Sequence, residues 1–116
     1  MADFVTPGSH LLLDFWGAKN IQNKEVIEKA MREAAKACNA KVLGVTLHEF
    51  GEGAGITGVA VLAESHISIH TWPEISYVAL DVFMCGKCDP QNAIPVFEKY
   101  FEPTKSSFSL HKRGAS

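Results

Sequence analysis

The chain has 116 residues, of which 47% are hydrophobic and 21% are charged, and its formal net charge at pH 7 is -2. This length predicts one domain, residues 1–116, with a modest core, and the charge gives no electrostatic reason to expect a nucleic-acid or membrane partner. The first residues lack the basic-then-apolar order of a signal peptide, no apolar run could span a bilayer, and the three cysteines are an odd number, so we expect reduced thiols in a cytoplasmic protein.

The first half of the chain predicts a strand, a helix and a β-hairpin. The apolar segment His10–Trp16 is typical of a strand. A helix is predicted to begin after Asn23 as its N-cap and to end at Asn39 in a left-handed conformation. Its apolar residues recur at three-to-four spacing and predict one buried stripe: Val26, Ile27, Ala30, Met31, Ala34, Ala37 and Cys38. Segments 41–50 and 56–63 are predicted to be antiparallel strands joined by a glycine-rich loop.

The second half predicts one more strong strand, a helix and a short last strand. Trp72 and Pro73 are predicted to turn the chain. The segment Tyr77–Cys85 then alternates between a face that suits helix packing (Val78, Leu80, Val82 and Met84) and a face that suits a site or a second sheet (Tyr77, Ala79, Asp81, Phe83 and Cys85). A helix is predicted from the N-cap Asp89 through Phe101, with Pro95 inside and distorting it, and a strand from Ser106 to His111.

These elements predict an α+β fold. Two helices and four to five mostly antiparallel strands form a two-layer sandwich with both helices on one face of the sheet. The other face would carry Tyr77, Phe83 and either Phe15 or Trp16. An open apolar face usually pairs with another surface, so we expect a homodimer in which these sheet faces meet.

Cys85 and Cys88 form a C-x-x-C pair, which could be half of a zinc site or a redox pair. A tetrahedral zinc site needs four ligands, and the sequence has no second pair. His66 and His70 could supply two more ligands, but their spacing is not that of a zinc finger. We therefore assign no metal and keep a zinc module as a minor alternative.

The segment 64–74 carries most of the residues that could do chemistry. It follows the apolar run 59–63, and in it His66, Ser68 and His70 alternate with apolar residues, which on a strand places them on one face. The ordinary interpretation is a half-buried strand with a solvated polar face. A Ser-His hydrolase lacks its G-x-S-x-G elbow here, and the glycines at 51–55 lack the pattern of a phosphate-binding loop.

Residues 63–74 (AESHISIHTWPE) closely resemble the processing-site signature of the small prokaryotic S-adenosylmethionine decarboxylases. Residues 9–14 resemble the first strand of that family, and His48-Glu49-Phe50 is similar to its His-x-Phe motif. Residues 81–86 resemble the strand that ends in its catalytic cysteine. The resemblance covers nearly the whole chain in order.

The resemblance implies that the enzyme makes its own cofactor. Ser65 would attack the carbonyl of Glu64, an ester would form and open by β-elimination, and hydrolysis would leave a pyruvoyl group at position 65 and separate chains 1–64 and 65–116. Attack within one residue gains from proximity if the turn is held strained. By the same resemblance His70 is the base of the elimination. Thr57 stands where the family usually has a serine that assists processing.

The resemblance also implies the roles of the residues that bind and decarboxylate the substrate. The pyruvoyl ketone would form a Schiff base with the α-amine of S-adenosylmethionine and accept the electrons that CO₂ leaves behind. Cys85 would then protonate the resulting carbanion. Phe50 would stack on the adenine and Glu74 would bind the ribose hydroxyls. The expected product is the aminopropyl donor of spermidine synthesis.

Two further alternatives remain open at this point. Relatives with the same machinery decarboxylate arginine, and Glu49 stands where a basic residue is usual near the expected adenine pocket. A homologue that keeps the fold without self-cleavage would be a binding module.

Overall fold

The computed structural model describes residues 7–114, which form a six-stranded antiparallel sheet covered on one face by two helices. The strands are β1 (Gly8–Trp16), β2 (Val42–Glu49), β3 (Ile56–Leu62), β4 (Ser65–Trp72), β5 (Tyr77–Cys85) and β6 (Lys105–Arg113), and the helices are α1 (Lys24–Ala37) and α2 (Ile94–Phe101). Their order in the sheet is β2-β3-β4-β5-β1-β6. The predicted α+β sandwich is confirmed. Residues 1–6 and 115–116, which the predicted domain also includes, lie outside the described residues.

The sheet has more strands than the four to five predicted, because residues 65–72 form a strand of their own. β4 pairs with β3 on one side and β5 on the other. Its Ile67 and Ile69 are fully buried against the helices, and this burial holds the segment in the middle of the sheet. The segment in which the sequence predicts a chemical site is thus a strand, and its His66, Ser68 and His70 lie on the other face, as predicted.

Helix α1 forms as its sequence predicts. The side chain of Asn23 accepts a hydrogen bond from the backbone N–H of Val26 at 3.1 Å, and Asn39 is left-handed with φ of 62°. The predicted stripe is wrong at one position. Ala37 is exposed at the border of the stripe near the end of the helix, whereas Ala35 is buried one turn after Met31.

The second predicted helix is divided in two. Asp89 accepts a hydrogen bond from the N–H of Gln91 at 2.9 Å and caps a 3₁₀ turn, Pro90–Ala93. Helix α2 begins only at Ile94, so Pro95 lies in its first turn and not in its interior. The missing N–H of a proline costs no helical hydrogen bond there.

The face of the sheet away from the helices, here called the open face, carries His66, Ser68 and His70 of β4 and Asp81 of β5. Val78, Leu80, Val82 and Met84 are buried in the core, as predicted, and Phe15 lies with them. Trp16 therefore takes the open-face position, where it is 36% exposed. Within residues 7–114, no helix is both long and apolar enough to cross a bilayer.

Candidate functional site

The sequence-predicted site residues fall into two groups at opposite ends of β4. Glu64, Ser65 and Cys85 lie where β4 begins and β5 ends. The other group contains Phe50, Thr57, His70 and Glu74 and lies where β4 ends. We call them the Ser65 group and the His70 group.

The Ser65 group is held by the tight turn between β3 and β4. Glu64 is left-handed with φ of 63°, a conformation that costs a residue with a side chain about 1–2 kcal/mol. Ser65 Oγ accepts a hydrogen bond from the backbone N–H of Cys85 at 3.1 Å, and the thiol of Cys85 donates to the carbonyl oxygen of Glu64. The turn thus brings together a hydroxyl, the preceding carbonyl and a thiol. The hydroxyl proton of Ser65 is not used in this contact and can pass to a base.

A cavity of about 400 Å³ opens beside Ser65 on the open face. Its walls include His10, His66, Phe83 and Arg113. The His66 ring stacks on Phe83 with ring centroids 5.6 Å apart, and His10 meets the same ring edge-on at 5.5 Å. The cavity therefore combines an aromatic wall with basic side chains.

The His70 group lines a second cavity of about 270 Å³. Thr57 lies opposite His70 across the β3–β4 pair, and Thr57 Oγ1 is 3.2 Å from His70 Nδ1, at hydrogen-bond distance. Phe50 is 64% exposed, with the His48 ring at 4.5 Å, and it borders the cavity together with Glu74. An exposed aromatic face beside a carboxylate suits a flat heteroaromatic group that carries hydroxyls.

One chain does not bring His70 to Ser65. β4 is regular between them, so five residues separate them by about 16 Å, and an odd spacing places them on opposite faces of the strand. The left-handed turn lies before Ser65 and so does not shorten this distance. Each chain therefore carries two half-sites.

Sequence reasoning missed a polar cluster next to the Ser65 group. Asp81 receives hydrogen bonds from Ser68 and His10, and His66 Nε2 lies 3.4 Å from it. Within residues 7–114, His10, His66 and Asp81 are also the group that could hold a metal ion, with ligand atoms within 4.8 Å of one another. His10 could not have been linked to this cluster from sequence, because it lies 71 residues from Asp81 and meets it only through strand pairing.

The three thiols of the chain are free and have different surroundings. Burial, with the nearby Cys88 and Asp89, raises the pKa of the Cys38 thiol to about 12. Cys88 faces the carbonyl of Asn39 at 3.7 Å, whereas Cys85 faces Glu64. The two cysteines of the C-x-x-C thus have separate partners.

Tyr77 anchors the aromatic side chains near the His70 group. Its hydroxyl donates a hydrogen bond to Asp14, and this bond, together with burial and the charge of the carboxylate, raises the pKa of Tyr77 to about 12. Its ring lies 5.2 Å from that of Trp72 and 5.8 Å from that of Trp16. The phenol remains protonated at neutral pH and serves as a fixed donor, not as a base.

Comparisons with known proteins match most of the chain to one family. Residues 9–114 match the family model described as S-adenosylmethionine decarboxylase. A relative from Methanococcus maripaludis, named S-adenosylmethionine decarboxylase proenzyme, is 46% identical over 110 residues that cover 92% of this chain and 89% of the relative. A relative of the same name from Thermomicrobium roseum is 40% identical over 108 residues, covering 92% of this chain and 93% of the relative. The crystal structure of the adenosylmethionine decarboxylase from Aquifex aeolicus superposes with a TM-score of 0.85 at 32% identity, covering 97% of this chain and 94% of that one.

Proposed function

This chain belongs to the S-adenosylmethionine decarboxylase family and decarboxylates S-adenosylmethionine, and we propose that it does so with a pyruvoyl group made from its own Ser65. The family implies a role in polyamine biosynthesis, in which the decarboxylated product would be the aminopropyl donor for the synthesis of spermidine. The proenzyme name of the relatives supports self-cleavage of this chain into residues 1–64 and 65–116. A cytoplasmic location remains a prediction from the sequence.

The contacts at the Glu64–Ser65 peptide carry this proposal. Ser65 Oγ adds to the carbonyl carbon of Glu64, and an ester replaces the peptide bond between them. The thiol of Cys85, which donates to the Glu64 carbonyl oxygen, polarises the bond that is attacked. Loss of the α-proton of residue 65 then expels the Glu64 carboxylate, and hydrolysis with loss of ammonia leaves the keto group. The left-handed Glu64 stores strain that cleavage releases.

The residues around position 65 fit a pyruvoyl group. When formed, this group supplies an electrophilic ketone that can accept the electron pair released with CO₂. Cys85 is bonded through its N–H to Ser65 Oγ, so its thiol is close enough to give a proton to the substrate carbon after CO₂ has left. Phe83 and Leu62 exclude water from part of the adjoining cavity.

The second half-site reaches Ser65 only if two chains pair, and we infer a homodimer on this ground. The open face carries exposed Leu12, Trp16, Val59, Val61 and Trp72, which a second copy can cover. A two-fold axis that runs parallel to this face and across β4 would bring the two open faces together and place the His70 group of one chain against the Ser65 group of its partner. His70, oriented by Thr57, would then remove the α-proton of residue 65, while Phe50 and Glu74 would bind the adenosine of the same substrate.

Release of CO₂ from carboxyl-labelled S-adenosylmethionine, compared with labelled arginine, tests this function. We expect turnover of S-adenosylmethionine only. The relatives reported above are named for that substrate, which gives no support to the arginine alternative. CO₂ from arginine alone would overturn the substrate assignment, and CO₂ from neither substrate would overturn the enzyme assignment.

A further inference from the structure

A chain of hydrogen bonds crosses four neighbouring strands beside Ser65 and ends at Arg113. The hydroxyl of Ser68 on β4 donates to Asp81 Oδ2 on β5 at 2.5 Å. His10 Nε2 on β1 lies 2.9 Å from Asp81 Oδ1, and Arg113 Nη1 on β6 lies 3.2 Å from His10 Nδ1. The strands follow one another in the sheet as β4-β5-β1-β6, so each link joins adjacent strands.

The direction of these bonds fixes the proton on His10. A guanidinium only donates hydrogen bonds, so Nδ1 of His10 accepts from Arg113 and Nε2 carries the proton that is donated to Asp81. With that proton in place, Nε2 has no lone pair for a metal ion. In this state Ser68, Asp81 and His10 form a hydrogen-bonded network that ends at Arg113.

Arg113 is placed to meet a negative group near position 65. Gly8 on β1 pairs with Cys85 on β5 and with Arg113 on β6, so only β1 separates the thiol from the arginine. The backbones of β5 and β6 are therefore about 10 Å apart, a distance that a long side chain can span. Arg113, His10 and His66 line the same cavity as Ser65. Among the residues that the structure describes, His10 accepts from one of the five guanidinium donors of Arg113, which leaves a forked pair that can bind a carboxylate.

We propose that Arg113 binds the α-carboxylate of S-adenosylmethionine and that Ser68, Asp81 and His10 hold its guanidinium in position. This inference rests on the proposed function, because it requires the α-amine of the substrate to reach position 65. The carboxylate is bonded to the same carbon as that amine, so it must lie within a few ångströms of position 65, where the cavity offers its basic wall. Asp81 does not repel it strongly, since two donors already satisfy that carboxylate.

Removal of Arg113 is expected to weaken binding of the carboxylate and to affect the chemical step only slightly. A guanidinium stabilises a carboxylate most before its charge leaves as CO₂, so it lowers KM without raising kcat in proportion. One charge-assisted pair corresponds to a loss of affinity of about 10-fold or more when it is removed.

Calorimetry with two unreactive analogues of S-adenosylmethionine tests this inference on the processed enzyme. The first analogue lacks the α-amine and keeps the carboxylate, and the second lacks both groups. We expect the wild type to bind the first at least about 10-fold more tightly, and Arg113→Met to reduce this ratio to near one without weakening the second. Arg113→Lys should keep part of the ratio, because lysine retains the positive charge. His10→Leu should reduce the ratio, because the guanidinium of Arg113 is then no longer held in position.

Lys112→Met is the matched control, since it removes a neighbouring positive charge on the same strand and should keep the ratio. Equal binding of both analogues by the wild type, a ratio that survives Arg113→Met, or equal weakening of both analogues in that variant would each overturn the inference. The proposed function would fail separately, by an absence of the keto terminus or of CO₂ from S-adenosylmethionine.

Discussion

The thiol of Cys85 donates a hydrogen bond to the carbonyl oxygen of Glu64, the residue on the other side of the peptide that Ser65 is proposed to cut. The last residue of β5 thereby meets the turn that precedes β4, although 21 positions separate the two residues in sequence. The same thiol can polarise the carbonyl before cleavage and stand beside position 65 afterwards. In the proposed mechanism, this one contact links maturation to catalysis.

Replacement of this thiol should separate the two roles. Cys85→Ala is expected to cleave, at a reduced rate, because the hydroxyl and carbonyl that react are retained, whereas decarboxylation should fall by about 10²-fold or more without the proton donor. Gel electrophoresis follows cleavage, and CO₂ release follows turnover. Cys88→Ala is the control and should do both normally, since its thiol faces Asn39. Normal turnover by Cys85→Ala would remove the thiol from the mechanism.

Mixed dimers test whether His70 acts on the partner chain. Neither Ser65→Ala nor His70→Ala should cleave alone. When the two variants are co-expressed in equal amounts, about half of the His70→Ala chains should be cut. Random pairing places half of them beside a Ser65→Ala chain, which supplies His70. Differently tagged chains and mass spectrometry identify the fragments. If the co-expressed chains stay intact while each wild-type control is cut, His70 does not act across an interface.

Gly8 leaves room for the aromatic wall of the cavity beside Ser65. A Cβ at this position would lie 2.4 Å from Cζ of Phe83, so Gly8→Ala must displace that ring. We expect a loss of about 1–3 kcal/mol in the free energy of unfolding, together with lower activity. Thermal unfolding and CO₂ release measure the two effects. Gly44→Ala is the control, because its added Cβ meets no atom within 4 Å and should change neither stability nor activity. A Gly8→Ala variant as stable and as active as Gly44→Ala would contradict this packing.

The buried thiol of Cys38 predicts an alkaline loss of stability. Burial raises its pKa from 9.0 to about 12, so above pH 9 the unfolded chain loses this proton while the folded chain retains it. Stability is therefore fully present below pH 9 and falls as the pH rises towards 12. Urea unfolding at pH 8 and pH 10 should show a smaller decrease in Cys38→Ala than in the wild type. Alkylation of native Cys38 as fast as of Cys88 would contradict the burial.

Much of the fold follows from sequence because its signals are local. The cap at Asn23, the alternation in β5 and the left-handed Asn39 each depend on neighbouring residues and were predicted correctly. The start of α2 was not, since whether Pro95 bends a helix or begins one depends on where the preceding turn ends.

The candidate site, too, could be predicted from the sequence only in part. The residues of both half-sites could be recognised by their resemblance to a family, and their assigned roles remain predictions. The separation of Ser65 from His70 along a regular strand follows only from the structure. The network that ends at Arg113 is also non-local, because it joins residues 103 positions apart through strand pairing.

Intact-mass spectrometry of freshly purified protein tests the central claim most directly. The account predicts two chains that separate between Glu64 and Ser65, with a keto group and no free amine at the start of the second, and a single chain for Ser65→Ala. A wild-type protein that remains one full-length chain, or one whose second fragment begins with an ordinary serine, would contradict it.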